Sequence, residues 1–142
     1  ATGAVYISES DSEPAYVEWA ANQLAEDQIA TRMEEQVRLS AVYPDGFAIE
    51  IDNGVSADEW LAALADESEL DPDDDYSIDS ARAWARIRAL FADRLTDLTY
   101  VRIGPHDGEG GIADDQGTYY YLILGRTNTG GTAGFWVASS ET

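Results

Sequence analysis

Two stretches of the chain carry apolar residues at three- and four-residue intervals, which is the period of one face of an α-helix. The stretches are 22–38 and 79–95. Their apolar positions are Leu24, Ile29, Met33 and Val37 in the first, and Ala81, Trp84, Ile87, Leu90, Phe91 and Leu95 in the second. The pattern therefore predicts two amphipathic helices, each with one buried face.

A third helix is predicted from its start signal. Ser56 precedes the segment 57–66, and Glu59 follows it at the spacing of a capping box, in which the two side chains satisfy free amides of the first turn. The residues Trp60, Leu61 and Leu64 supply a buried face for this helix. An acidic segment, 67–79, comes next, and Ser77 or Asp79 near its end is predicted to cap the long helix 79–95.

Five segments favour β-strands, because they alternate apolar and polar residues or form short apolar runs between turn residues. They are 4–8, 47–51, 98–104, 118–127 and 132–140. Turns are predicted at 43–47, 52–54 and 128–131, where Pro-Asp-Gly, Asp-Asn-Gly and Gly-Gly sequences occur. The stretch 16–19 alternates weakly and suits a further strand, whereas Pro14 suits the start of a helix instead.

The order of these elements indicates the fold class. Strands come first, a helix pair follows, and a meander of three strands ends the chain, which predicts an α/β fold of the α+β type. We expect one domain over 1–142, a sandwich in which helices pack on a mixed, mostly antiparallel sheet. The segments 98–104, 118–127 and 132–140 are predicted to be adjacent strands, with helix 79–95 lying across one face of the sheet.

The net charge of the chain limits the kinds of molecule that the protein is expected to bind. The chain has 28 acids, 8 arginines and no lysine, giving a net charge of −20. Such a chain should repel nucleic-acid backbones and anionic membranes. Adaptation to high salt explains the charge, because salt screens repulsion between acids, and an acidic face for a basic partner explains it as well. The two explanations are compatible, and the first predicts a halophilic protein.

The same composition gives little reason to expect an enzyme. Cysteine is absent, and the single histidine, His106, lies in a Gly- and Asp-rich loop where we expect it to be solvated. The series Asp71-x-Asp73-x-Asp75 resembles the start of a calcium loop, but Tyr76 and Arg82 stand where an EF-hand requires Gly and Glu. We therefore expect no catalytic residues, no cofactor and no intrinsic metal site, and calcium binding by the acidic loop 67–76 stays open.

No signal peptide or membrane span is visible, so the predicted location is cytoplasmic.

Two stretches together resemble the nuclease A inhibitor family, small proteins that block a sugar-non-specific DNA/RNA endonuclease. The first is VYISESDSEP, an apolar strand followed by Ser-Glu-Ser, an acid and a proline. The second comprises an amphipathic helix, YVRIG, a loop, YYLILGRTNTGGTAGFWV and a final Glu-Thr. Their order along about two thirds of the chain carries the resemblance, whereas residues 20–46 match the family poorly.

The resemblance implies a function and a set of site residues. In that family the Glu of Ser-Glu-Ser and the C-terminal Thr reach the active centre of the nuclease, and by position these are Glu9 and Thr142. Glu141, Ser8 and Ser10 are expected to contribute less, with the serines holding the loop. The implied partner is a metal-dependent non-specific endonuclease, with no direct contact to nucleic acid or membrane. The alternative is an acidic binding module, of the DNA-mimic type, for another basic protein.

Overall fold

A computed structural model describes residues 14–19, 25–53, 55–68, 70–109, 111–113 and 117–141. The side chains of 53, 55, 56, 140 and 141 are outside this description. The predicted strand 4–8 also lies outside the described residues. No helix in the described ranges is long and apolar enough to cross a membrane.

One five-stranded sheet forms the centre of the fold. Its strands are β1 (Ala15–Trp19), β2 (Phe47–Asn53), β3 (Thr96–Pro105), β4 (Gly117–Arg126) and β5 (Thr132–Glu141). Their spatial order is β1-β5-β4-β3-β2, and every pairing described is antiparallel. The prediction that the last three strands are consecutive neighbours is confirmed.

Helices cover both faces of this sheet. They are α1 (Glu26–Val37), α2 (Leu39–Val42), α3 (Val55–Ala65) and α4 (Asp75–Arg94). One hydrophobic cluster joins α3 and α4 to the first face, and a second joins α1 and α2 to the opposite face. The α+β sandwich expected from the sequence is therefore confirmed, with the sheet as the middle of three layers.

The central strand β4 explains why residues 118–127 read as a continuous apolar run. Its side chains alternate between the two clusters: Tyr119, Tyr121 and Ile123 belong to the first, and Tyr120, Leu122 and Leu124 belong to the second. A strand buried on both faces has no reason to alternate apolar and polar residues.

The long helix α4 packs as predicted but begins earlier. Trp84, Ile87 and Phe91 are buried against the sheet. The predicted cap at Ser77 or Asp79 is wrong, because the side chain of Asp74 caps the helix by accepting a hydrogen bond from the Ser77 N–H at 3.1 Å. Leu90 was assigned to the buried face and is instead 48% exposed.

Other element boundaries also differ from the prediction, including the start of α1 at Glu26 and the ends of β3 at Thr96 and Pro105. The ambiguous stretch 16–19 is part of β1, so the helix start at Pro14 is wrong. β2 continues through Asn53, which pairs with Thr99, so the predicted turn does not begin at Asp52. Helix α3 begins at Val55, and Ser56 therefore lies inside the first turn and does not precede it.

Two short features were missed altogether. The four-residue helix α2 follows Arg38, whose φ of 56° breaks the chain direction after α1. The polar loop after β3 folds back through a β-bridge between His106 and Ile112, which brings Ile112 into the first cluster. One buried residue in a loop of glycines and acids produces no periodic signal.

Candidate partner-binding surface

The antiparallel register between β1 and β5 fixes where the two ends of the described chain lie. Ala15 pairs with Trp136 and Trp19 pairs with Thr132. The chain therefore enters β1 from the end of the sheet toward which β5 runs to Glu141. Gly117 pairs with Glu141, so β4 begins there too. We call this side of the sheet, where β1 and β4 begin and β5 ends, the terminal end.

Most predicted site residues lie beyond the described part of the chain. Glu9, Ser8, Ser10 and Thr142 are outside it, so their roles stay predictions. Glu141 is the last residue of β5, one residue past the predicted strand end. The structure gives its backbone pairing with Gly117 and leaves its side chain undescribed.

Hydrogen bonds from tyrosines fix the strands at the terminal end. The Tyr43 hydroxyl donates to the carbonyl of Thr118, which ties the turn before β2 to β4. The Tyr119 hydroxyl donates to the carbonyl of Ala113 at 2.6 Å, which holds the loop after β3. Burial, together with nearby Tyr120, raises the pKa of Tyr43, so this hydroxyl keeps its proton and stays a donor. These two hydrogen bonds tie the turn before β2 and the loop after β3 to β4.

A small hollow lies at this end of the sheet. It has a volume of about 200 Å³ and is lined by Val42, Tyr43, Pro44, Asp45, Gly46, Pro105, Gly117 and Thr118. Among its lining residues Asp45 is the only carboxylate. General acid–base chemistry on a glycoside, for example, uses two carboxyl groups facing one bond.

Most of the arginines form ion pairs, while most acids have no arginine of their own. If each of the 8 arginines neutralises one of the 28 acids, 20 carboxylates remain. The pairs with the shortest distances to their acids are Arg88–Asp58 at 2.8 Å, Arg82–Glu67 at 3.2 Å, Arg32–Glu35 at 3.3 Å and Arg126–Asp97 at 3.3 Å. The Arg82 pair thus joins α4 to Glu67 of the acidic segment 67–79. The surface field is therefore strongly negative.

Several acids have structural roles instead of forming a site. The Asp107 carboxylate accepts hydrogen bonds from the N–H groups of Glu109 at 2.6 Å and Gly111 at 3.1 Å, and these bonds lower its pKa. Hydrogen bonds from Ser77 lower the pKa of Asp74 in the same way. Such carboxylates stay ionised because they are held in their turns and caps by N–H donors.

The calcium-like series is built into this local structure. Asp71 accepts a hydrogen bond from the N–H of Asp73 at 2.9 Å, Asp74 caps α4, and Asp75 lies in its first turn. Within the described ranges no group of three or more His, Cys, Asp or Glu side chains is placed to hold a metal ion. His106 is exposed, as predicted, and its Nδ1 accepts a hydrogen bond from the Gly108 N–H at 2.9 Å.

Sequence reasoning missed the position of Arg102. This side chain lies along the surface of the sheet. Its Cζ is 5.3 Å from the centroid of the Tyr119 ring, and its Nη1 is 3.8 Å from Oε1 of Glu50 on the neighbouring strand. A guanidinium over an aromatic face gains a cation–π attraction. The alternation in 98–104 puts residue 102 on the same face as Tyr100, whose ring stacks on Trp60 at 5.8 Å. That alternation was the signal that could have placed Arg102 on a covered face.

The geometry thus provides a terminal end tied together by two tyrosine hydrogen bonds and a strongly acidic surface, and no metal-binding cluster is found among the described residues. The chain matches no known protein-family model, and none of the curated proteins matches it.

Proposed function

We propose that the protein inhibits a metal-dependent, sugar-non-specific nuclease by placing acidic groups of its terminal end in the active centre of the enzyme. The observation that carries the proposal is the β1–β5 register. It directs the segment that precedes Ala15 and the last residues of β5 to the same end of the sheet. The two residues that the family resemblance singles out, Glu9 and Thr142, belong to these segments.

Chain lengths support this pairing. Six residues lead from Glu9 to Ala15, and six lead from Trp136, the partner of Ala15, to Thr142. Either segment can span at most about 20 Å at 3.3–3.6 Å per residue. The two carboxylates therefore have comparable reach from one paired position, and a single cleft can receive both.

The chemistry of the partner gives these carboxylates a role. The active centre of a metal-dependent nuclease holds a divalent cation and basic groups that bind the phosphate. A Glu side chain offers oxygens that replace phosphate oxygens on those groups, and so does the carboxylate of Thr142 in a chain that ends at that residue. Neither is a phosphodiester, so the nuclease cannot cleave what it binds. The net charge of −20 would accelerate encounter with such a basic cleft.

The second candidate is an acidic binding module for a different basic protein. Exposed carboxylates outside the predicted site favour it, including those of Asp71, Asp73 and Asp75 around the start of α4. In that case binding should depend on many acids at once and on no particular pair.

Inhibition assays with three variants test the proposal. Glu9→Ala and a form extended by a few residues beyond Thr142 should both inhibit a sugar-non-specific, divalent-metal nuclease far less than the wild type. Removal of one partner from a desolvated charged pair costs about 2–5 kcal/mol, or roughly 30-fold or more in the inhibition constant. Asp11→Ala is the matched control, since it removes a neighbouring acid from the same segment and should inhibit normally.

The outcomes separate the two candidates. Full inhibition by both Glu9→Ala and the extended form would refute the assigned site. Equal, small losses for Glu9→Ala, Asp11→Ala and an acid near α4 such as Asp73→Ala would favour the acidic module. The assays should be run in salt high enough to keep every variant folded, with circular dichroism as the check.

A further inference from the structure

Among the described residues, no strand pairs with the outer side of β2. Within the described part of the chain, β3 is the only strand that pairs with β2, so β2 is an edge strand of the sheet. The N–H of His106 donates to the carbonyl of Gly46 at 3.3 Å, which shows that this carbonyl points toward β3. In a trans peptide the next N–H, that of Phe47, points the opposite way.

The proline opposite Phe47 indicates the same outward orientation of the Phe47 backbone groups. Phe47 pairs with Pro105, which has no N–H, and the Pro105 carbonyl accepts from the Ala113 N–H at 2.8 Å, on its other side. Phe47 and Pro105 are thus a non-hydrogen-bonded pair. Because the pattern repeats every two residues, the N–H and C=O groups of Ile49 and Ile51 also point outward, away from β3.

Apolar and acidic side chains point to opposite faces of the sheet along this edge. Phe47, Ile49 and Ile51 lie on one face of the sheet, where they are only partly buried against the second cluster. Glu50 and Asp52 lie on the other face, where both are exposed and Glu50 also lies 3.8 Å from Arg102 of β3. A strand added beside β2 at the usual spacing of about 4.8 Å would set its own side chains against these two rows. Apolar residues suit the first row, and lysine or arginine suits the second.

We propose that the outer edge of β2 binds an extended segment of a basic protein, in which basic and apolar residues alternate, as an additional strand. Main-chain hydrogen bonds to Ile49 and Ile51 provide the pairing, and Glu50 and Asp52 select for positive charge. The inference is separate from nuclease inhibition, because β1 and β2 lie at opposite edges of the sheet, four strand spacings or about 19 Å apart.

The probe is a capped heptapeptide that alternates lysine with valine or isoleucine. Two control peptides keep the same side chains. In the first, the lysines are grouped together. In the second, the interior amides are N-methylated, so that neither edge of the peptide donates hydrogen bonds. Binding is measured by titration, and amide hydrogen exchange is followed residue by residue with NMR. We expect the alternating peptide to bind and to slow exchange at the Ile49 and Ile51 amides at least about tenfold, while the β1 amides stay unchanged.

Protein variants complete the test. The double variant E50Q/D52N should weaken binding of the alternating peptide about threefold or more. The matched control D73N/D79N removes two exposed acids near the start of α4 and should bind normally, and melting temperatures check that each variant folds. Equal binding of the grouped or N-methylated peptide, or unchanged exchange at Ile49 and Ile51, would overturn the proposal. Those results would mean that Glu50 and Asp52 only protect an exposed edge from aggregation.

Discussion

The guanidinium of Arg88 makes two parallel hydrogen bonds to the carboxylate of Asp58, with Nε–Oδ1 and Nη2–Oδ2 distances of 2.8 Å. The pair joins α4 to α3 across the first face of the sheet. It is the geometry in which a guanidinium and a carboxylate interact best. Both side chains are nearly half exposed, at 43% and 49%, so solvent and salt weaken the interaction.

This pair predicts a pH dependence of stability. The hydrogen bonds from Arg88 lower the pKa of Asp58 below its ordinary 3.8. A lowered folded-state pKa means that the contribution is complete above the unfolded pKa and is lost as pH falls through the folded one. Asp58→Asn should therefore lower the melting temperature modestly at neutral pH. The gap from the wild type should close below about pH 4.

Thermal melts from pH 7 to pH 2 at constant salt provide the measurement. Asp93→Asn is the control, because its contact with the adjacent Arg94 is long, at 3.6 Å, and highly exposed. A gap between the wild type and Asp58→Asn that stays constant across the whole range would show that the pair contributes nothing through ionisation.

The packing of α4 predicts a large loss from one truncation. Trp84 is 1% exposed, and its ring lies 5.2 Å from that of Phe135 and 6.1 Å from that of Trp60. Trp84→Ala should lower the free energy of unfolding by about 3–5 kcal/mol, because the cavity removes contacts with both rings. Leu90→Ala is the matched control on the same helix and should cost much less. Urea unfolding measures both, and equal losses would contradict the packing described.

Comparison of Trp84 with Leu90 shows which part of the fold the sequence could predict. Both follow the same three- and four-residue spacing, which was enough to predict α4 and its buried face. The spacing cannot say how wide the covered part of that face is, and Leu90 is 48% exposed although the next residue, Phe91, is buried. The periodicity of a sequence predicts which face of a helix is buried. The elements that pack against the helix determine how many side chains of that face are covered.

Helix ends were harder to predict for a different reason. The segment before α4 offers several acids and a serine, each able to accept a hydrogen bond from a free amide. Nothing local separates Asp74 from Ser77 or Asp79, so the sequence alone does not identify Asp74 as the cap. The candidate site is harder still, since acids such as Glu9 leave no trace in hydrophobic periodicity. In a chain with 28 acids the type of residue carries little information, so Glu9 was singled out by the resemblance alone.

The close approach at Gly104 predicts intolerance of even one methyl group. A Cβ on this residue would lie 2.6 Å from Cγ2 of Ile112 and 2.7 Å from the Tyr119 ring. Gly104→Ala should destabilise the fold by about 1–3 kcal/mol through overpacking. Ile112→Ala in the same chain should restore part of the loss, and this double variant separates crowding from any change in backbone preference. Urea unfolding that showed no cost for Gly104→Ala would contradict the packing of the loop after β3.

Salt acts on two opposing sets of interactions, and their balance predicts how stability changes with ionic strength. Salt weakens ion pairs such as Arg88–Asp58, which lowers stability, and it weakens repulsion among the acids, which raises it. At most 8 carboxylates can gain from an arginine, whereas 20 remain in excess, so relief of repulsion should win. The Debye length falls from about 30 Å at 0.01 M to about 3 Å at 1 M, which confines repulsion to near neighbours. The melting temperature should therefore rise steeply with KCl over this range, and a flat response would leave an acidic face for a basic partner as the better explanation of the charge.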